Sequence, residues 1–488
     1  MTTLARRASA AALLGLVLVT GAVHAGHGPA LGADDHGQYL LHAKALVEGR
    51  PYSDIGFIHT RYSTKVAPIA EPPGLPVLIA GVFSVAGEKT PAVRVILYLS
   101  FALLGLFVFR YLRTLADVGT AAVVTAWTLT ALARAHVLDT MLADIPFCAA
   151  LWGCFLLADS APLRGTRRLV LLGILGAMAF AFRMAALPLL PAAATALVLR
   201  PREEKAGFLT LGIVWAVVAA AILLGLRSGE VLGSETLRTP GVFLNDVVFN
   251  LREMRTGARV GIPLSFANRA LSILFHGVVL TIALIGALVG LRERYRRFAW
   301  ITAVWYLVML VLLPTGSSRY MWPLYPLLAL SFVEGARWIV RAIAPRGRDA
   351  APGLAAAVLL IVLGVAQDAL AKTPPTYTRV AEIGAVREAL AREAVGQERL
   401  RVLFFSPRVM SWEDGYVTMA PFAAPTSELL AVVRSSRITH VVIGDAGTGV
   451  LGLPELQTAV SERPSEFRDV LTNSLFRVVA LRTYGATK

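Results

Sequence analysis

The chain has 488 residues, 56% of them hydrophobic and only 16% charged, against about 25% charged in ordinary soluble domains. With a mean hydropathy of +0.64, that balance excludes a single water-soluble globule and calls for a lipid solvent. The net charge of +15 would suit a nucleic-acid partner, but the basic residues cluster in short loops between apolar runs, the pattern of cytoplasmic loops, so the bilayer takes the place of nucleic acid as the partner.

Arg6 and Arg7 precede the run AALLGLVLVTGAV, and AVHA follows it. This predicts a first span that acts as an anchor, with cleavage after AVHA as the alternative. In either case the first external loop, residues 27–90, is exported. Within it, GLPVLIAGVFSVAG (74–87) is too short to span comfortably and reads as an interfacial or re-entrant helix. Further spans are predicted near 91–112, 119–137, 143–158, 168–183, 185–199, 206–226, 271–291, 298–314, 319–341 and 354–371. The predicted fold is thus a polytopic α-helical membrane protein of about eleven transmembrane helices. The only cysteines, Cys148 and Cys154, lie in one apolar run and are poorly placed to bridge.

That count places Arg110 and Arg113, Arg164–Arg168, Arg200–Lys205, Arg292–Arg297 and Arg341–Arg348 on one side, the cytoplasmic one. Asp34, Asp35, Glu71, Asp144, Arg183, Arg319 and everything after Ala371 fall on the other. A second long external loop, 227–270, contains apolar stretches such as GVFLNDVVFNL that suit the membrane surface and the shaping of an acceptor site. After the membrane domain (1–371), residues 372–488 alternate a helical pattern with the strand-like runs RVLFFS, THVVIG and FRVVAL. They predict a small extracytoplasmic α/β domain.

Two adjacent carboxylates, Asp34 and Asp35, open the stretch DDHGQYLLHAKALVEGRPYSD. They suit either a solvated helix start or a general base with a neighbour that holds a cation or an acceptor hydroxyl. Glu71 precedes Pro72, Pro73 and Gly74, whose backbone restrictions either make a linker or present the carboxylate beside the short helix. In HVLDTMLADIPF, Asp139 and Asp144 sit at the external surface, and Asp144 is either a helix cap or a carboxylate kept at the edge of hydrocarbon for a function. Arg183 and Arg319 lie at matching outer turns, in AFRMAALPLLPA and SSRYMWPLYPLLAL. Their planar donors suit a phosphate oxyanion, with structural snorkelling as the alternative.

Taken in order, these elements resemble the C-type membrane glycosyltransferase superfamily, in particular the protein O-mannosyltransferase and aminoarabinose transferase group and the rhizobial lipopolysaccharide glycosyltransferases. The first-loop pattern of an acidic pair, Gly, Tyr and a helix ending in Gly before Pro-Tyr is similar to Asp34, Asp35, Gly37, Tyr39, Gly49, Pro51 and Tyr52 here. EPPGLP resembles the second loop element, HVLDTMLADIPF the third, and FRMAALPLLPA and SRYMWPLYPLLAL the later Arg or Lys and Arg-Tyr-Pro positions. The likeness runs from about Asp34 to Trp338 and leaves the tail unmatched. The family pair is commonly Asp-Glu and here is Asp-Asp.

The resemblance implies a bacterial inner-membrane enzyme. It would take a hexosyl or pentosyl group from a polyprenyl-phosphate carrier and transfer it with inversion to a cell-envelope acceptor, be it lipid, glycan or protein, outside the cytoplasm. It implies Asp34, Asp35 and Asp144 as the catalytic carboxylates, with Asp34 the base, and Glu71, Arg183, Arg319 and Tyr320 as substrate-binding groups. No cofactor is implied with certainty; a divalent metal stays an alternative that no ligand cluster in the sequence selects. The competing reading is a transporter or flippase of lipid-linked glycans, which would favour midplane charges and repeated halves. No internal repeat is present, and the charges gather at one surface.

Overall fold

The computed structural model describes Gly15 and residues 34–52, 55–58, 71–88, 90–135, 140–161, 163, 165–225, 240–264, 266, 268–312, 318–343, 351–370, 380–395, 400–404, 407–419, 426–444 and 454–482. Apart from Gly15, the expected first span lies outside the described residues. From residue 91 onward, a helix stands at every expected span. These are α3 (Thr90–Leu112), α4 (Val118–Arg134), α5 (Asp144–Asp159), α6 (Thr166–Phe182), α7 (Leu189–Leu199), α8 (Arg202–Gly225), α10 (Arg269–Arg294), α11 (Phe298–Leu312), α12 (Tyr325–Ile343) and α13 (Ala351–Leu370). Ahead of them come α1 (Asp34–Val47) and the short α2 (Gly74–Ala86). Pro91–Leu112, Arg202–Leu224 and Arg269–Arg292 are long and apolar enough to cross a membrane, and other apolar helices such as Val118–Arg134 and Phe298–Leu312 are shorter. The architecture is that of a multi-pass membrane protein, with a finer count than these lengths provide in the expected eleven.

Sequence and surroundings agree on which helices face outward. On α10, Leu271, Ile273, Leu274, Leu284 and Leu288 are exposed, which in hydrocarbon costs nothing. On α5 almost every residue is buried, the mark of a central helix that is apolar all round. Where α10 and α12 cross, a Cβ on Gly286 or Gly335 would collide with backbone of the facing helix, at Ser331 and Ile282 respectively. The glycines are what let the two backbones approach, as small residues do between membrane helices.

Asp159, the last residue of α5, joins four helix ends. Its carboxylate accepts the first amides of α11, from Phe298 at 2.8 Å and Ala299 at 3.1 Å, together with the Tyr111 hydroxyl of α3 at 3.1 Å, and pairs with Arg200 after α7. It thereby caps α11 with the charge its N-terminus favours. Arg297 donates to the Asp159 carbonyl at 2.7 Å, and Arg168 at the start of α6 donates to the Leu157 carbonyl through Nε at 2.7 Å. Asp144 stands at the other end of α5, so basic cluster and acidic candidates occupy opposite ends of the bundle.

The described part of the expected second loop is helical, with Val248, Phe249 and Leu251 exposed. Its part Pro240–Val260 is one helix, α9, whose end is tied inward: the Tyr325 hydroxyl donates to the Gly257 carbonyl at 2.9 Å and the Trp127 indole to the Gly261 carbonyl at 2.7 Å. Residues 226–239 lie outside the described residues.

The tail runs α14 (Ala381–Glu393), β2 (Arg401–Leu403), α15 (Pro407–Asp414), β3 (Val417–Met419), α16 (Thr426–Ser435), β4 (His440–Gly444), α17 (Pro454–Glu462), β5 (Phe467–Thr472) and β6 (Phe476–Leu481). RVLFFS, THVVIG and FRVVAL supply β2, β4 and β6. A further strand comes from the first loop: β1 (Phe57–Ile58) pairs parallel with β3, Phe57 opposite Thr418 and Ile58 opposite Met419. The sheet order is β1-β3-β2-β4-β6-β5, parallel from β1 to β4 and antiparallel beyond. Alternation sends Leu403, Val441 and Ile443 into one apolar cluster and Val402, Val442 and Val478 into another, so both faces are covered.

Candidate active site

The end of the bundle that carries Asp144 brings together residues from the first loop, three helix ends and the tail. Asp144 opens α5, where a carboxylate suits the helix dipole. Arg183 ends α6 on extended backbone, which turns its side chain back onto α5. Its Nη2 donates to Asp144 Oδ2 at 2.6 Å, with side chains only 6% and 4% exposed. Its Nη1 donates to the Tyr320 hydroxyl at 3.3 Å, and the guanidinium lies 5.4 Å from the centre of the Tyr320 ring. A buried pair of this kind repays its desolvation only with good geometry and further hydrogen bonds.

Arg319 and Tyr320 belong to the 3-10 segment Ser318–Leu324 that leads into α12. Arg319 Nη2 donates to Asp35 Oδ2 at 2.6 Å. The other Asp35 oxygen, Oδ1, lies 3.8 Å from Nη2 of Arg408, on α15 of the tail. Burial alone would raise the Asp35 carboxyl, but Arg319 and Arg408, with a smaller contribution from Arg183, hold it at about 2. Nε of Arg183 and of Arg319 is buried and has no hydrogen-bond partner among the described residues. Each guanidinium is therefore anchored by a carboxylate on one edge and keeps donor capacity on another, which suits an oxyanion.

Glu71 is gripped twice. Its Oε2 accepts from the Tyr39 hydroxyl at 2.6 Å, and its backbone carbonyl accepts from the Tyr52 hydroxyl at 3.0 Å. Tyr39 lies one turn along α1 from Asp35, on the same helix face. Pro72 and Pro73 then lead straight into α2, so the Pro-Pro-Gly element holds Glu71 against α1. His36 is fully buried, its Nδ1 accepting the Met141 amide at 2.9 Å just before α5. Burial, with Arg94 adding to it, pushes the His36 imidazole down to about 3, so it sits here neutral.

Asp35, Glu71, Asp144, Arg183, Arg319 and Tyr320 are thus brought to one place. Asp34 opens α1, and its side chain lies outside the described residues, as does the whole of Asp139. Among the described residues no group of three or more His, Cys, Asp or Glu side chains stands ready to hold a metal ion. The two cysteines are buried and unbridged. Sequence reading did not single out Arg408, whose partner Asp35 is hundreds of residues away, and it noted Tyr39 and Tyr52 only as pattern positions. The spacing of Tyr39 from Asp35 was the available signal for the first of these; no local signal points to Arg408.

Residues 70–226, about a third of the chain, match the family model for dolichyl-phosphate-mannose-protein mannosyltransferase. That stretch contains Glu71, Asp144 and Arg183. No curated protein matches in sequence. In fold the chain is similar to the oligosaccharyltransferase of Archaeoglobus fulgidus in its apo form, with a TM-score of 0.54 and 13% identity over 89% of this chain and 69% of that one. The same organism's AglB, in complex with an inhibitory peptide and a dolichol-phosphate, gives 0.53 and 13% over 91% and 70%. ArnT from Cupriavidus metallidurans, bound to undecaprenyl phosphate, gives 0.52 and 14% over 98% of both chains. The family match and the shared fold together support the C-type membrane glycosyltransferase superfamily for this chain, the same superfamily its loop motifs resemble.

Proposed function

We propose that this protein transfers a sugar, with inversion, from a polyprenyl-phosphate carrier to a cell-envelope acceptor at the extracytoplasmic face of the inner membrane. The reading rests on one observation above all. Two arginines, each tied to a carboxylate and each with a spare buried donor, stand at one end of a bundle of apolar helices. A polyprenyl donor needs that combination: hydrocarbon for its chain and cations at the surface for its phosphate. The neighbours that share the fold include structures with a dolichol-phosphate and with undecaprenyl phosphate, which supports the same class of carrier here.

In this mechanism Asp34 takes the proton of the acceptor hydroxyl. The freed oxygen attacks the anomeric carbon from the face opposite the phosphate, and the bond from that carbon to the phosphate oxygen breaks. The electron pair leaves on the polyprenyl phosphate, whose charge Arg183 and Arg319 balance, with Tyr320 beside them. Asp144 and Asp35 orient the two arginines, and Glu71 positions the acceptor side through Tyr39 and Tyr52.

The test is transfer of labelled sugar from a polyprenyl-phosphate donor in membranes containing wild type, Asp34→Asn or Asp144→Asn, with expression and insertion checked in parallel. Loss in both variants is the expected result. Wild-type activity in a well-inserted Asp34→Asn protein would remove the base assignment, and an inactive wild type across a broad donor and acceptor panel would turn the reading toward a transporter.

A further inference from the structure

We infer that the tail domain is a working part of the site and that Arg408 is the residue through which it acts, positioning Asp35 from the side opposite Arg319. This deepens the proposed transferase reading and rests on it for the chemistry, though not for the geometry.

Four features seat α15 against the first loop. The first is Gly37, one turn into α1. A Cβ there would meet the Arg408 carbonyl oxygen and would stand 2.5 Å from its carbon and 2.7 Å from Val409 N, so only glycine allows this approach. The second is β1, which carries the first loop into the tail's own sheet. The third is Ser411, whose hydroxyl lies 3.3 Å from the Gly56 carbonyl and 2.8 Å from Thr418 Oγ1. The fourth is Trp412, stacked on Phe83 of α2 with ring centres 5.7 Å apart. Together they fix where Arg408 starts, and its side chain, only 6% exposed, ends at Asp35.

Asp35 then has one oxygen facing each domain: Oδ2 on Arg319 of the membrane bundle and Oδ1 toward Arg408 of the tail. A carboxylate held by one cation can swing about its Cα–Cβ bond; a second cation 3.8 Å from its other oxygen opposes that rotation. Among the described residues, the other charged or titratable groups facing Asp35 are Arg183 across the site and Tyr39 one turn along α1. Removing Arg408 leaves Arg319 and Arg183 in place, so Asp35 stays an anion near neutral pH but loses its second restraint, and its pKa rises.

The experiment uses the purified full-length protein in lipid nanodiscs, as wild type, Arg408→Lys, Arg408→Met and Trp412→Ala. Asp35 is modified with a water-soluble carbodiimide, which reacts with the protonated carboxyl, at pH 5, and the extent is read by peptide mass spectrometry. One unit of upward shift raises the protonated fraction about tenfold. Arg408→Met is expected to raise Asp35 modification by about that factor, Arg408→Lys to restore it close to wild type, and Trp412→Ala, which removes one of the four seating features and leaves Arg408 in the chain, to raise it by a smaller factor. Wild-type modification in Arg408→Met, or modification in Arg408→Lys as high as in Arg408→Met, overturns the assignment. In parallel, transfer from the polyprenyl-phosphate donor should lose kcat about tenfold in Arg408→Met with donor KM within about twofold, and regain it in Arg408→Lys. The modification arm needs no turnover, so a chain that transfers no sugar would sink the transferase reading while Arg408 is judged on the labelling alone.

Discussion

Replacing Gly37 with alanine tests whether the seat between α1 and α15 is as tight as its geometry states. Ordinary carbon contacts begin near 3.4 Å, and the Arg408 carbonyl carbon would stand 2.5 Å from the new methyl, so the two backbones must part by about 0.9 Å. The atoms in the way are backbone, not the far end of a flexible side chain, so no rotamer change relieves them. Overpacking of this kind costs roughly 1–3 kcal/mol, which lowers the docked population relative to the undocked by a factor of about 5 to 150. The same displacement takes Arg408 and Asp35, already 3.8 Å apart, beyond ion-pair range. Hydrogen exchange of residues 407–414 in nanodiscs measures the loss directly, with α10 as an internal reference for the bundle. Wild-type exchange rates in a Gly37→Ala protein would refute the close approach and with it the seating of α15 on α1.

At Asp144, Asn in place of Asp leaves Arg183 buried without its anion, which costs roughly 3–5 kcal/mol. The thermal midpoint in detergent should fall clearly, and Asp144→Asn with Arg183→Gln should recover much of it without recovering transfer; no difference between single and double variants would contradict the pairing. Asp159→Asn should destabilise through the lost α11 cap and the stranded Arg200 while leaving donor KM unchanged in the protein that remains folded, because it lies at the far end of α5; a raised KM at full folding would contradict the separation of the two ends. His36 predicts an acid sensitivity. Its folded pKa, about 3, lies below the ordinary 6.5, so the unfolded chain binds the extra proton and stability falls as pH drops from about 6.5 toward 3. Denaturation midpoints from pH 7 to pH 4 should fall less in His36→Gln than in wild type, and parallel curves would show that His36 does not drive the slope.

How far the sequence reached can be seen residue by residue. The apolar runs locate helices from residue 91 onward because in hydrocarbon a backbone must satisfy its own hydrogen bonds, and only continuous helix does so along a single segment. Asp35, Glu71, Asp144, Arg183, Arg319 and Tyr320 were legible as candidates because charge beside an apolar run is expensive and so conspicuous. Their partnerships were not. Asp144 with Arg183 joins neighbouring helices and agrees with simple up-and-down order, but Asp35 with Arg319 spans 284 residues and depends on how α1 lies across the bundle. The helix α9 stayed hidden in an expected loop because its mixed polar and apolar residues suit a water-facing surface equally well; what holds it is the Gly257 carbonyl on Tyr325.

The sequence by itself determined the solvent, the apolar helical segments and the chemical types at one end of the bundle, since each of these follows from short stretches of residues and the medium around them. Only the tertiary structure decided which cation meets which carboxylate, that two residues of the first loop complete the tail's sheet, and that Arg408 reaches Asp35. Those are matters of long-range packing, set by backbone approaches such as Gly37 on Arg408, and no local propensity or periodicity carries them.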